Sequence, residues 1–260
     1  MRYTSDLTDT QWQFIHYCFP KPGKLGRPRE HSYRALLDAI FYVVRTGCQW
    51  RNLPKDFAPW RTVYHYFRRW KRNGLWERIH THLREHLRQF EGRARHASAA
   101  IIDSQSVKST ESSEARGYDA GKKVNGRKRH VLVDTLGLIL MVLVLPANIQ
   151  DRDAARQLLE RFYGSQGRRR VKHLWADGGY AGTLLAWARK LWRCTVEIVK
   201  RTDAHCFRVL PRRWVVERTF GWLGRYRRLS RDYERQAHTG QTMIYLAMIR
   251  LMLVRLARHD

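Results

Sequence analysis

Near residue 98 the period of the hydrophobic pattern changes, and this change most limits what the chain can fold into. Before it, apolar residues recur every three or four positions; after it, they come in short runs rich in β-branched residues. The order implies an all-α, helix-turn-helix-like region at 1–95 followed by an α/β region at 96–260.

In the first region, Thr8 with Gln11 three residues later has the form of a capping box. Trp12, Ile15 and Phe19 continue at helical spacing until Pro20. Lys21 to Arg29 reads as an extended basic loop, either an arm against phosphates or a solvated connector. Ser32 can cap a second helix with Tyr33, Leu36, Leu37, Ile40, Phe41 and Val44 on one face and Gly47 at its end. A third, roughly 59–71, turns Val63, Tyr64, Phe67 and Trp70 inward and presents Arg61, His65, Arg68, Arg69, Lys71 and Arg72. A fourth, from Trp76 to about Phe90, carries Ile79, Leu83 and Leu87. Its His82/His86 pair has no third ligand in view, so a metal site is set aside. The formal charge of +27, together with ten tryptophans, points to a polyanion as partner, nucleic acid before membrane. Arg61, Arg68 and Arg69 are therefore candidate phosphate contacts on a recognition or phosphate-tracking helix.

After Ser98, Ala99 to Asp103 reads as a buried strand ending in a carboxylate. Residues 104–129 are polar and without hydrophobic period, so they are expected to add no core. Their basic string offers Lys122, Lys123, Arg127, Lys128 and Arg129 to a DNA backbone. His130 to Val133 and Leu138 to Leu145 form a hairpin about residues 134–137, giving three strands in succession. Asp151 and Asp153 open a helix continued by Ala155, Leu158, Leu159 and Phe162; acids in a first turn suit the helix dipole, and both receive a structural role. Val171 to Ala176 is a strand with Asp177 at its end, Gly178-Gly179 turns the chain, and a helix runs from about Thr183 to Trp192. Thr195 to Val199 is a further strand, and Glu217 sits on an arginine-rich helix. The helix from about Thr242 to Ala257 is apolar nearly all round, which places it against the sheet or against a second protomer.

The cysteines, Cys18, Cys48, Cys194 and Cys206, have no metal or disulfide spacing. No apolar run reaches the ~18 residues of a membrane span and no signal-peptide pattern opens the chain, so a cytoplasmic protein is expected. Three strands, helix, strand, helix, strand, helix is the order of a ribonuclease-H-like mixed sheet flanked by helices. In that arrangement Asp103, Asp177 and Glu217 can converge, and hard carboxylate oxygens from separate elements are what two Mg²⁺ or Mn²⁺ ions need for phosphodiester chemistry. Each acid also has a structural alternative: a loop cap for Asp103, the turn for Asp177, and a pair with Arg213 at i−4 for Glu217.

Five stretches, I-I-D-S-Q-S-V-K, G-R-K-R-H-V-L-V-D-T-L-G, P-A-N-I-Q-D-R-D, A-D-G-G-Y-A-G and R-R-W-V-V-E-R-T-F-G-W-L, resemble those of bacterial insertion-sequence transposases of the DDE class, in the IS-five-like branch related to the IS-four-like one. R-T-G-C-Q-W-R-N-L-P and W-R-T-V-Y-H-Y-F-R-R-W resemble that branch's leading helical region. The resemblance implies a catalytic triad and metal site at Asp103, Asp177 and Glu217, with Arg213 and Arg218 among the DNA contacts. It also implies two bound Mg²⁺ or Mn²⁺ ions, double-stranded DNA as partner, a homodimer on DNA and association with the bacterial nucleoid. Within the signature about the glutamate, Leu210 stands at the tyrosine position and Gly224 at the lysine position. A ribonuclease-H-like nuclease without strand transfer and a non-catalytic DNA-binding regulator are the competing functions.

Overall fold

A computed structural model describes residues 3–20, 29–165, 170–199 and 213–258. The expected basic loop, apart from Arg29, lies outside the described residues, as do Cys206, Leu210 and Arg212. Contacts divide the chain into two units, Met1–Leu87 with Arg225–Ser230 and Thr242–Asp260, and Arg88–Gly224 with Arg231–Gln241.

The helices of the first unit begin at their signalled caps, but the first stops at Gln13 instead of running to Pro20, and a 3₁₀ turn covers His16–Cys18. Thr8 and Gln11 form the reciprocal capping box at α1 (Asp9–Gln13), with the Gln11 N–H donating to Thr8 Oγ1 at 3.1 Å and the Thr8 N–H to Gln11 Oε1 at 3.2 Å. Ser32 Oγ accepts the Ala35 N–H at the start of α2 (Tyr33–Thr46), which stops at Gly47 with φ +75°. That left-handed conformation suits glycine, and a Cβ there would come within 3.1 Å of the Arg227 main chain. Helices α3 (Trp60–Arg72) and α4 (Leu75–Phe90) follow, with Val63, Phe67 and Trp70 of α3 buried. Trp70 packs edge-on to Trp76 at 5.3 Å between ring centroids and to Phe19 at 5.1 Å. The opposite face of α3 leaves Arg61, Arg68 and Arg69 exposed. The last helix, α8 (Ala237–Leu256), belongs to this unit from Thr242 onward, and its Arg250 donates to the Asp6 carbonyl at 3.1 Å. Among the described residues no helix is long and apolar enough to cross a membrane.

The second unit is a ribonuclease-H-like mixed sheet flanked by helices. Its strands are β1 (Ala99–Lys108), β2 (Gly117–Asp119), β3 (Val124–Asp134), β4 (Ile139–Pro146), β5 (His173–Ala176) and β6 (Thr195–Ile198). They lie in the order β4-β3-β1-β5-β6, with β2 pairing the start of β3. The β1, β3 and β4 pairings are antiparallel, and β1, β5 and β6 run parallel. Helices α5 (Asp151–Gly164), α6 (Thr183–Trp192) and α7 (Arg213–Gly224) complete the unit. Because side chains alternate along a strand, Ala100, Ile102, Leu132, Leu174 and Ala176 share one face and bury against Leu158, Leu159 and Phe162 of α5 and Leu184 and Ala188 of α6. Each such Leu or Phe contributes about 1.5–3 kcal/mol when fully buried.

The segment 104–129, expected to be coreless, is largely strand: β1 continues to Lys108, β2 is an added strand, and β3 starts at Val124. Hydrophobic period missed it because its interior is polar and internally satisfied. Arg127 is fully buried, donating to the carbonyls of Ala115 (2.8 Å), Glu234 (2.7 Å) and Arg235 (2.6 Å) and pairing with Asp232 at 3.3 Å. The hairpin about 134–137 does form. The buried Asp134 Oδ1 accepts the N–H groups of Leu136 and Leu138 at 2.9 Å, Arg88 pairs with its other oxygen, and Gly137 takes φ +81°. Helix α7 is fastened to that turn, since the Thr219 hydroxyl donates to the Gly137 carbonyl at 2.8 Å and Arg218 to the Leu136 carbonyl at 3.0 Å.

Candidate active site

Parallel register brings the first two candidate acids together. Ile101 pairs with Trp175 across β1 and β5, so two residues further along each chain Asp103 and Asp177 stand side by side on the face opposite α5. Asp103 accepts the Ser104 N–H at 2.7 Å, and Asp177 accepts the Gly179 N–H at 2.9 Å, which caps the short turn at Gly178–Tyr180. Burial pushes the Asp103 carboxyl up to about 6; the Ser104 N–H opposes this, Asp177 adds to it, and Arg213 and Lys122 oppose it.

The third candidate enters from α7, which packs on β1. Arg213 lies 3.9 Å from Asp177 Oδ2 and 4.0 Å from Glu217 Oε1, so one guanidinium spans both acids. The i−4 pairing named as the structural alternative for Glu217 is therefore present, and the same arginine also reaches Asp177. Glu217 itself is 61% exposed, free of the packing that fixes Val215 and Val216.

For a divalent ion the donor chemistry of Asp103 and Asp177 fits: two hard oxygen donors lie side by side, one driven by burial toward a positive partner. Glu217 is turned to Arg213, and among the described residues no three His, Cys, Asp or Glu side chains are spaced to share one ion. On the same sheet face a cavity of about 600 Å³ is lined in part by Arg93, His96, Ile101, Trp175, Trp214 and Val215.

Comparison with known families adds a relationship to this geometry. Residues 94–252 match the family described as "Transposase DDE domain", and residues 7–80 match "Putative transposase of IS4/5 family (DUF4096)". The chain belongs to the DDE transposase family. Among curated proteins, "Putative transposase for insertion sequence element IS402" of Burkholderia cepacia is 32% identical over 43% of this chain and 56% of its own length. "Insertion element IS402 uncharacterized 16.2 kDa protein" of the same organism is 30% identical over 45% of this chain and 78% of its own. The chain thus spans little more than half the length of the first of these relatives. A solved structure, "Crystal structure of the Mos1 Strand Transfer Complex", is 13% identical, covers 91% of this chain and 79% of that one, and has a TM-score of 0.27, too low to bear on the argument.

Within this DDE domain the cations singled out in the sequence divide sharply. Lys122 and Lys123 are exposed, and Lys122 Nζ also donates to the Ser104 carbonyl at 3.2 Å, close to the paired acids. Arg127, Lys128 and Arg129 are buried at 0%, 7% and 3% exposure, which corrects their assignment to a DNA backbone. Arg127 is spent on carbonyls as described, Lys128 Nζ donates to the Ile149 carbonyl at 3.1 Å, and Arg129 donates to the Arg231 carbonyl at 3.2 Å. Burial lowers the Arg129 guanidinium to about 10. Consecutive cations had read as a surface string, but pairing places them inside the sheet's polar layer. Arg218 is also engaged within the fold, lying 4.4 Å over the Trp214 ring and 4.7 Å over the Trp222 ring. Tyr118, on β2, is 55% exposed, and Trp222 of α7 is buried.

Sequence reasoning also missed a polar group on the α5 side of the sheet. Asp151 accepts the Ser104 hydroxyl at 2.9 Å and pairs with Lys128 at 3.3 Å. His130, fully buried, has its Nδ1 3.8 Å from Asp151, and burial lowers its pKa to about 4, leaving it neutral. The available signal was the i, i+2 recurrence of Lys128 and His130, a strand-face pattern inside the basic string.

Proposed function

We propose that this chain is a DNA transposase that binds the terminal inverted repeats of an insertion sequence, cleaves the DNA and transfers the 3′-hydroxyl ends into target DNA. The observation that carries this reading is that Asp103 and Asp177 both follow the last parallel pair of β1 and β5, Ile101 with Trp175, and feel each other's charge, with Arg213 between Asp177 and Glu217. Membership of the DDE transposase family supports it. Asp103, Asp177 and Glu217 are the catalytic acids in this reading, and a helical DNA-binding domain at 1–95, grouped with the C-terminal helix from Thr242, precedes the catalytic region that starts at 96.

Asp103 and Asp177 would hold divalent metal, Mg²⁺ or Mn²⁺, with Glu217 as the third donor once Arg213 turns to a DNA phosphate. When bound, such ions activate the attacking oxygen and stabilise the leaving one. Arg213 is placed to neutralise a phosphate beside the acids, since a guanidinium matches phosphate geometry. Lys122 and Lys123 would follow the backbone next to the acids, and Arg61, Arg68 and Arg69 would contact phosphates from the exposed face of α3. Cleavage breaks the P–O3′ bond with water as nucleophile and leaves a 3′ hydroxyl; strand transfer repeats the displacement with that hydroxyl attacking a target phosphate. Two element ends must be joined, so a homodimer assembles on DNA, associated with the nucleoid.

The test is Mg²⁺-dependent cleavage and strand transfer on duplexes taken from the genomic DNA flanking the coding sequence. Wild type should release 3′-hydroxyl ends and join them to a second duplex, while Asp103→Asn and Asp177→Asn bind DNA normally without cutting it. Full-rate cleavage by either folded variant refutes the acid assignment. Cleavage without joining would reduce the activity to that of a nuclease.

A further inference from the structure

Asp151 lies on the far side of the sheet from the paired acids, yet its carboxylate reaches the Ser104 side chain and the space beside Gly179. Its Oδ1 accepts the Ser104 hydroxyl at 2.9 Å, and the Ser104 N–H is the group that holds Asp103 at 2.7 Å. Its Oδ2 faces the other acid's turn: a Cβ built on Gly179 would lie 3.8 Å from Asp151 Oδ2 and 3.1 Å from Asp177 Oδ1, and the Gly179 N–H holds Asp177 at 2.9 Å. One carboxylate at the start of α5 therefore bonds the side chain of Ser104 and faces the open side of Gly179, the two residues whose N–H groups orient the paired acids.

The same carboxylate is itself fixed. Lys128, buried, reaches it at 3.3 Å and is held in turn by the Ile149 carbonyl at 3.1 Å and by Asp119 at 3.5 Å. Asp119 accepts from the Ser106 hydroxyl at 2.5 Å, one step along the same face of β1 as Ser104. Tyr180, next to Gly179, is 1% exposed, and its hydroxyl makes no hydrogen bond of ordinary geometry. Burial, followed by the carboxylates of Asp151, Asp103 and Asp177, raises the Tyr180 phenol well above its ordinary range. Asp153, one turn position away, is exposed and shares only the helix-dipole role.

We infer that Asp151 is a positioning residue that, through Ser104 and the Gly179–Tyr180 turn, holds Asp103 and Asp177 in the orientation that binds a divalent ion. This rests on the reading of Asp103 and Asp177 as the metal-holding acids. Groups that orient metal ligands typically change metal affinity by about 10–100-fold when removed. Ser104→Ala is the sharper variant because it removes the link without changing charge.

The measurement is Mn²⁺ binding to the whole chain without DNA, with free ion read from its electron paramagnetic resonance signal and folding checked by thermal melting. Ser104→Ala and Asp151→Asn should each weaken Mn²⁺ by roughly 10-fold or more, while Asp153→Asn binds as wild type does. Wild-type affinity in folded Ser104→Ala and Asp151→Asn, with affinity lost in Asp103→Asn, overturns this inference alone. Unchanged affinity in Asp103→Asn, or no Mn²⁺ binding by wild type, overturns the reading of the acids as well. Should Asp151→Asn fail to fold, Ser104→Ala decides.

Discussion

Replacing Asp103 with Asn should stabilise the protein at alkaline pH while removing activity. Burial, opposed in part by the Ser104 N–H, pushes the carboxyl from 3.8 to about 6. The folded state thus holds its proton more tightly than the unfolded chain does. The resulting cost is absent below the unfolded value, grows as pH rises through the interval, and is complete above the folded value. At 1.36 kcal/mol per tenfold change in affinity, the interval corresponds to about 3 kcal/mol at pH 8 and less than about 1 kcal/mol at pH 4. Asn keeps an oxygen that can accept the Ser104 N–H but cannot ionise, so the cost disappears. With about 2–4 °C per kcal/mol for a chain of this size, melting at pH 8 should rise by roughly 6–12 °C. The assay is thermal unfolding of both proteins at pH 8 and pH 4 in EDTA, so that no divalent ion offsets the carboxylate. Equal melting temperatures at pH 8, or a variant less stable at pH 8 than at pH 4 relative to wild type, would show that Asp103 is not a desolvated acid.

Arg127→Met should cost about 3–5 kcal/mol in urea unfolding, because it removes the cation paired with the buried Asp232 carboxylate and the donor to three carbonyls; a loss below about 1 kcal/mol would mean that this buried network adds little to stability. Replacing Arg61, Arg68 and Arg69 together with Ala should lower the slope of log affinity against log salt by about 2–3, at ~0.9 per phosphate contact. An unchanged slope in DNA binding followed by fluorescence anisotropy would mean that this exposed face of α3 does not meet phosphates.

Sequence by itself determined the elements whose signals are local. The Thr8–Gln11 capping box, the Ser32 cap, the stop at Gly47 and the inward row of Val63, Phe67 and Trp70 need only the neighbouring residues, and each has its physical cause within one or two turns. The start of β1 and the hairpin at 134–137 were legible for the same reason, since β-branched runs bounded by turn residues leave few alternatives, whereas the continuation of β1 past Asp103 to Lys108 is polar and was not. The three acids could be named as candidates because a carboxylate at a strand end or alone among arginines is conspicuous in a basic chain.

Tertiary structure decided what depends on partners distant in sequence. A polar residue has no hydrophobic signature, so only strand pairing could bury Arg127 among carbonyls from 115 and 232–235 and so remove it from any DNA surface. Parallel register, set between β1 and β5, placed Asp103 beside Asp177. Asp151 looked like one of two ordinary helix-start acids, and only the sheet alternation that sends Ser104 to the α5 face separates it from Asp153. A one-dimensional pattern records what each residue prefers to be near; the fold chooses which of the available partners satisfies it.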